Sequence, residues 1–205
     1  MSFTLRDLAF EDIQTVGRLE NELFPVDAWP LQMFYDEFFQ PDTRRYIVAE
    51  MDGTMVAYAG LMCIDTTADI QTIGVLPAFE GRGIGRAMLT ELLAEATRRG
   101  ADTVMLEVRA DNPRAQRLYT RYGFERIHTR RRYYRDGVDA WVMRLALAPA
   151  PDSATAPAGP SDPERTSAGP SDPECTPAGR PDPDRTPAGP PAVDQRPSGA
   201  AKDSR

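Results

Sequence analysis

Lysine is almost missing from this chain of 205 residues: Lys202 is the only one, and arginine carries the positive charge before it. That lack excludes the triphosphate-binding loop G-x-x-x-x-G-K-[ST], which needs its lysine on the phosphates. Histidine occurs once, as His128, and there is no G-x-S-x-G segment. A hydrolase triad is therefore excluded, and no metal site is expected, because His128 has no ligand partners at the required spacing. Cys63 lies in an apolar run and Cys175 near the carboxyl end. Two such cysteines do not make a disulfide framework and fit a reducing, cytoplasmic setting. No apolar run approaches the roughly 18 residues of a membrane span. The amino terminus, M-S-F-T-L-R-D, carries charge by its sixth residue and lacks a signal-peptide core. The net charge of −7 argues against non-specific binding to nucleic acid, which wants a basic face. Neither a membrane nor a nucleic acid is expected as a direct partner.

What is present divides into two unlike parts. Residues 1–148 carry nearly all the large apolar side chains and fit one domain of ordinary size. Residues 149–205 hold 14 of the 19 prolines, with Gly159, Gly169, Gly179, Gly189 and Gly199 recurring every ten residues. This segment has no aromatic residue, and Val193 is its one large aliphatic. It cannot bury enough apolar area to offset its chain entropy, so it is expected to be a disordered tail with polyproline character. No repeat has an apolar face on which a neighbour could stack, which excludes a solenoid.

The front part alternates helical and strand periodicities. Phe3–Leu8 reads as a strand. Ile13, Val16, Leu19 and Leu23 mark a helix over Glu11–Phe24, and Leu31–Phe39 a second after Pro25 and Pro30. Tyr46–Glu50 and Met55–Ile64 read as strands joined at Asp52-Gly53, followed by a strand over Ile70–Val75. A helix starts at Ile84 and ends at Arg98-Arg99-Gly100, where cations and glycine suit a C-terminus. Thr103–Val108 is a strand, Pro113–Tyr122 a helix with proline in its first turn, and Gly123–Arg130 and Ala140–Leu147 are closing strands. The spacing establishes a mixed α/β domain.

The segment Val75–Leu89, V-L-P-A-F-E-G-R-G-I-G-R-A-M-L, joins a strand end to a helix start through alternating glycines. Glycine lets the backbone turn sharply and approach a ligand, and the helix that follows offers free N–H groups. The residue order suits a pyrophosphate cradle but not the dinucleotide fingerprint G-x-G-x-x-G. It resembles the acetyl-coenzyme-A loop [QR]-x-x-G-x-[GA] of the GNAT N-acetyltransferase family, with Gly83 and Gly85 at the two small positions. Glu80 stands where that family usually has Gln or Arg. An acid is unfavourable beside a pyrophosphate, so its side chain is expected to point away. A second block, Met105–Phe124, resembles the same family's L-E-V-R-x-x-N-x-x-A-x-x-L-Y-x-x-x-G-F signature at each of its specified positions. Together with Arg130-Arg131-Arg132-Tyr133-Tyr134, it is most similar to the RimI-type members, which acetylate the N-terminal alanine of a small-subunit ribosomal protein.

The resemblance implies an acyl-CoA N-acyltransferase fold, with a mixed central sheet and a splayed strand pair. It implies acetyl-CoA as co-substrate and a protein N-terminus as acceptor. It also implies an association with tRNA threonylcarbamoylation proteins, for which no residue here carries a signature. Acetyl transfer needs an uncharged amine. An α-amine with a pKa of about 7.7–8.0 is about a tenth neutral at pH 7, whereas Lys, at about 10.4, is far less so. A carboxylate base therefore suffices for an N-terminal acceptor. The resemblance makes Glu107 that proton acceptor; the other reading of Glu107 is a pairing acid beside Arg109 or a neighbouring strand. Tyr119 is the implied proton donor to the leaving thiolate, with Tyr122 a nearby alternative. Ile73, Gly74 and Val75 would line the pantetheine arm. The amides of Gly81, Arg82, Gly83, Ile84, Gly85 and Arg86 would hold the pyrophosphate, helped by the two arginines. Asn112 fits both the family's coenzyme-A contact and a helix N-cap.

On the acceptor side the family uses the turn between its first helices and the loop before its last strand, here Phe24–Leu31 and Arg130–Val138. Tyr133 and Tyr134 could clamp a peptide backbone or simply pack as aromatics. Arg130–Arg132 reads as a solvated strand end or as an attractor of acidic partners. The segment Phe24-Pro25-Val26-Asp27-Ala28-Trp29-Pro30 is longer than the family's F-P-W-S. Other readings are transfer to a small-molecule amine or a lysine side chain, and a non-catalytic acetyl-CoA-binding module. Deleting residues 150–205 is expected to leave the melting temperature and acetyl transfer unchanged; a large drop in melting temperature would show that the tail packs on the domain.

Overall fold

Alternating apolar residues in seven segments build one sheet with helices on both faces. The computed structural model describes residues 2–147, so the proline-rich tail and its boundary lie outside the described residues. The strands are β1 (Thr4–Asp7), β2 (Arg44–Met51), β3 (Thr54–Ile64), β4 (Thr67–Val75), β5 (Thr103–Arg109), β6 (Glu125–Arg130) and β7 (Ala140–Ala146). The helices are α1 (Ile13–Leu23), α2 (Leu31–Phe38), α3 (Ile84–Arg98) and α4 (Pro113–Arg121), with short 3-10 turns at Phe10–Asp12 and Pro77–Phe79. Each element expected from periodicity is present, with ends shifted by one to three residues.

Along the sheet the strands run β1-β2-β3-β4-β5-β7-β6. Only β4 and β5 are parallel among the described pairs, and α3 makes the crossover between them. In β2 the pleat sends Ile47, Ala49 and Met51 to one face and Tyr46 and Val48 to the other. The first set packs on α3 through Ile84, Met88, Leu89 and Leu92. The second packs on α1 and α2 through Ile13, Val16, Leu19 and Phe34. Asp52 and Gly53 both take positive φ, 51° and 75°, as the tight hairpin joining β2 to β3 requires. At the end of α3, Gly100 turns left-handed at φ 82°. The amides of Gly100 and Ala101 bond back to the carbonyls of Thr97 and Ala96, both at 3.0 Å, which makes a Schellman cap.

One irregularity matters more than the rest. Gly60 pairs with Thr72 and Leu61 with Ile70, so Gln71 is an extra residue on β4. Such a bulge bends its strand and increases its twist. The parallel ladder between β4 and β5 ends at the adjacent pair, Ile70 and Leu106. Beyond it β4 runs on to Val75 and β5 to Arg109 without pairing each other. The bulge therefore coincides with a fork in the sheet.

The Gln71 side chain accepts a hydrogen bond from the Tyr46 hydroxyl at 2.9 Å. The Tyr46 ring passes directly over Gly60, where a Cβ would overlap it. Tyr46 cannot move aside easily, because its hydroxyl also bonds Glu37 at 3.2 Å and its ring packs edge-on to Phe34. Gly60→Ala is expected to cost about 2 kcal/mol by overpacking, read as a lower denaturation midpoint. An unchanged midpoint would mean that the ring is free to shift.

Candidate active site

The fork opens a cavity of about 400 Å³, lined on the β4 side by Gln71, Thr72 and Ile73 and on the β5 side by Glu107, Val108 and Arg109. Asn112, Ala115 and Tyr119 close it from α4; Leu23 to Trp29 and Tyr134 with Asp136 form its outer rim. The sequence-expected Glu107, Tyr119, Asn112, Ile73 and Tyr134 thus meet in one space. Tyr133 lies beside it, its ring edge-on to Tyr134 at 5.2 Å.

Glu107 is the first residue of β5 past the last pair with β4. It sits on the pleat face opposite the buried Leu106 and Val108. Burial raises its pKa above the usual carboxylate range, and Arg130, 3.4 Å away, pulls it part of the way back. Arg130 also stacks on Tyr133 at 5.4 Å, so it belongs to this site and is not a solvated strand end. Arg109 does not pair with Glu107. Its guanidinium instead reaches Asp27 at 3.3 Å, Asp111 at 3.0 Å and Asp136 at 2.5 Å, and lies 4.6 Å from the Tyr134 ring centre.

Tyr119 owes its position to the end of α4. Gly123 takes φ 90°, and the amides of Gly123 and Phe124 bond the carbonyls of Thr120 and Tyr119 at 3.0 and 3.1 Å. This is a second Schellman cap, and Phe124 folds back to touch Tyr119 with ring centres 5.8 Å apart. The Y-x-x-x-G-F spacing is the chemical requirement of that cap. At the other end Asn112 caps α4 by accepting from the Ala115 amide at 3.0 Å, while Gln116 donates to the carbonyls of Arg109 and Ala110 at 2.9 and 3.0 Å. Burial pushes the Tyr119 phenol up to about 12. Tyr122 is occupied elsewhere, within 2.6 Å of the Thr90 hydroxyl and 3.3 Å of the Arg86 carbonyl.

The glycine loop has the features a diphosphate cradle needs. Gly81 and Gly83 take φ 77° and 84°. A Cβ at Gly81 would meet nothing within 4 Å, and one at Gly83 only the Arg86 guanidinium at 3.8 Å, so the space in front of the loop is open. Gly83 begins α3 without any side-chain cap. The first amides of the helix and the positive end of its dipole therefore face that space. Glu80 turns away from it and pairs with Arg114 of α4. Arg82 reaches back to the Ala78 carbonyl at 3.3 Å and over the Phe79 ring at 5.2 Å. Gly74 is small for another reason: a Cβ there would come within 2.8 Å of both Leu23 and Tyr58. An extended thioester carrier with a diphosphate fits this combination, since its arm can lie along the unpaired edge of β4 and its phosphates at α3.

Several residues of the site escaped sequence reading. Glu20 is buried on α1, accepting from the Trp29 amide at 3.0 Å and from the Tyr58 hydroxyl. Its one sequence signal was an acid in the apolar stripe of Ile13 and Val16. Asp27 accepts from the Arg135 amide at 3.0 Å as well as binding Arg109, and so joins the two acceptor loops. Nothing local in the sequence marks that contact.

Comparison with known proteins agrees with this geometry. Residues 13–124 match the profile of the Acetyltransferase (GNAT) family. Over 147 residues the chain is 45% identical to N-alpha-acetyltransferase RimI of Mycobacterium tuberculosis, covering 69% of this chain and 90% of that protein. It is 39% identical over 110 residues to the ribosomal protein bS18-alanine N-acetyltransferase of Escherichia coli K12, covering 51% and 74%. The crystal structure of the ribosomal-protein-S18-alanine N-acetyltransferase from Escherichia coli superimposes with a TM-score of 0.67 at 30% identity, covering 75% of this chain and 99% of that one.

The Arg109 cluster ties three loops around the cavity mouth, so its loss should loosen the acceptor side alone. Arg109→Ala is expected to raise the acceptor KM about tenfold while leaving acetyl-CoA affinity unchanged. Arg109→Lys should not rescue it, because an ammonium cannot serve three carboxylates as a guanidinium fork does. Equal weakening of both substrates would refute this assignment.

Proposed function

The chain belongs to the GNAT family of acetyltransferases, and on that footing we propose that it transfers the acetyl group of acetyl-CoA to a protein's N-terminal α-amine. The acceptor proposed is the N-terminal alanine of a small-subunit ribosomal protein, in keeping with the relatives' activity. One observation carries the reading: Glu107 stands just past the fork, in a cavity that Tyr119 and both acceptor loops also line.

When bound, acetyl-CoA supplies an activated acyl carbon. The backbone edge of Ile73, Gly74 and Val75 holds its pantetheine arm, and the amides from Gly81 to Arg86 hold its diphosphate. Asn112, which caps α4 through its side-chain oxygen, lines the cavity in which that arm would lie. Glu107 accepts a proton from the acceptor nitrogen. Its raised pKa brings it closer to the α-amine than an exposed glutamate would be, which favours proton transfer. Tyr119 remains protonated throughout the working range of pH. A thiol ionises near about 8.5, so complete transfer from so weak a phenol is uphill. Tyr119 acts chiefly by donating a hydrogen bond to the sulfur as charge develops there.

The α1–α2 loop and the β6–β7 loop form the acceptor groove, and Tyr134 supplies its aromatic wall. Such a groove suits an extended peptide better than a compact small amine. Glu107→Gln is expected to lower kcat about a hundredfold while calorimetry finds acetyl-CoA affinity unchanged. A peptide with a free N-terminal alanine should be acetylated in preference to the same peptide blocked at its amine but carrying lysine. Equal rates on the two peptides would defeat the N-terminal reading, and full activity of Glu107→Gln would remove the base.

A further inference from the structure

A second carboxylate faces the fork from the other strand. Asp69 of β4 pairs with Met105 of β5, one step before the ladder ends. Paired residues of neighbouring strands point to the same side of a sheet, and so do alternate residues of one strand. Asp69, Met105 and Glu107 therefore share a face, with the two acids on either side of the point where the strands part. Among the described residues no hydrogen bond or ion pair holds the Asp69 carboxyl.

The charged and titratable groups facing Asp69 are few. Glu107 comes from β5, Arg130 from β6, and Tyr133 from the loop after it. From β3 the opposite residue is the uncharged Met62. Arg144 of β7 lies one strand further out, beyond Met105. Burial first, and then the like charge of Glu107, raise the Asp69 carboxyl to about 7, with Arg130 opposing.

We infer that Asp69 is a positioning residue for acetyl transfer that works through Glu107: it takes over the proton that Glu107 removes from the acceptor. The inference rests on the proposed role of Glu107 as base. An acceptor ammonium loses two protons on becoming an amide. As the C–N bond forms and the C–S bond breaks, the sulfur leaves as a thiolate hydrogen-bonded to Tyr119 and takes up a proton from solvent, which balances one of the two. For the other, the N–H bond breaks as an O–H bond forms on Glu107; the proton then moves to Asp69 and on to solvent, and Glu107 is restored. Two acids sharing a proton titrate as a pair, so removing one changes the apparent pKa of the other.

Retaining this acid has a cost in stability. In the unfolded chain an aspartate ionises near about 3.9, whereas folded Asp69 does so at about 7. Between those values the unfolded state sheds a proton that the folded state keeps, so stability falls as pH rises through the window. Asp69→Asn should accordingly raise the melting temperature at a pH above 7 and leave it unchanged near pH 4.

The test uses the full chain, acetyl-CoA and a peptide with N-terminal alanine, following thiol release across pH for the wild type, Asp69→Asn, Asp69→Glu and Glu107→Gln. Asp69→Asn is expected to keep both KM values. Its kcat should fall about three- to tenfold, and the acidic limb of its rate profile should move to lower pH by about half a unit, because ionisation of Asp69 no longer has to precede turnover. Carbon-13 NMR of the carboxyl groups should show one group titrating at about 7 in the wild type and missing from Asp69→Asn, a readout independent of turnover. Asp69→Glu should restore the limb. Rate profiles that superimpose on those of the wild type would overturn the inference. An inactive Glu107→Gln beside an unaltered Asp69→Asn would remove Asp69 alone, whereas an active Glu107→Gln would remove the base and this inference with it.

Discussion

The parting of two parallel strands is the constraint on which the rest of this structure depends. A continuous ladder would satisfy every peptide group of β4 and β5 and leave no room for a ligand. The single extra residue Gln71 ends that pairing after Ile70 and Leu106. Bending a strand at its middle is costly unless something holds the bend, and here Tyr46 does so by donating to Gln71. The Tyr46 ring fits only because residue 60 is glycine. A small residue on β3 thus determines where backbone is left exposed on β4, and the exposed backbone determines where an extended thioester can lie.

Each chemical group of the site is set by its distance from that fork. Glu107 is one residue beyond the last pair and Asp69 one residue before it, so the same break places two carboxyls on one face. Tyr119 reaches the cavity from α4, whose two ends are pinned by the Asn112 cap and the Gly123 turn. The glycine loop lies at the far end of β4, where α3 begins without a side-chain cap. Base, donor and anion cradle therefore need no contact with one another. They are in register because each is attached to one of the two strands or to the helix that follows it.

This division explains which parts of the site were legible in the sequence. Gly81 and Gly83 are required locally by a left-handed turn, and the spacing of Tyr119, Gly123 and Phe124 is required locally by a helix cap. Both leave signatures within a few residues, as the periodicity of each strand and helix does. The bulge at Gln71 left none, because Ile70–Val75 alternates like any strand and the extra residue shows only against Gly60 and Leu61. Asp69 precedes that strand reading and carried no signal, since its neighbour Glu107 lies 38 positions away. Arg109 was legible as part of L-E-V-R, but its three carboxylate partners come from three separate loops. What the sequence hid is what depends on long-range pairing.

Chemistry and acceptor choice are accordingly housed in different parts of the molecule. The fork, the two acids and Tyr119 belong to regular elements whose positions are fixed by ladders and caps. The acceptor groove is made of two loops, joined only where Asp27 bonds the Arg135 amide and shares Arg109 with Asp136. Loops tied at a few polar points can lengthen or change sequence without disturbing the strands behind them. The segment from Phe24 to Pro30 is such a case, with Trp29 anchored through its amide to the buried Glu20. Glu20 in turn meets Tyr58, whose hydroxyl also bonds Thr72 on β4. The α1–α2 loop is thus referenced to β4, so its outer residues can change without moving the strands of the fork, and under the proposed function that would alter peptide choice without altering the chemistry.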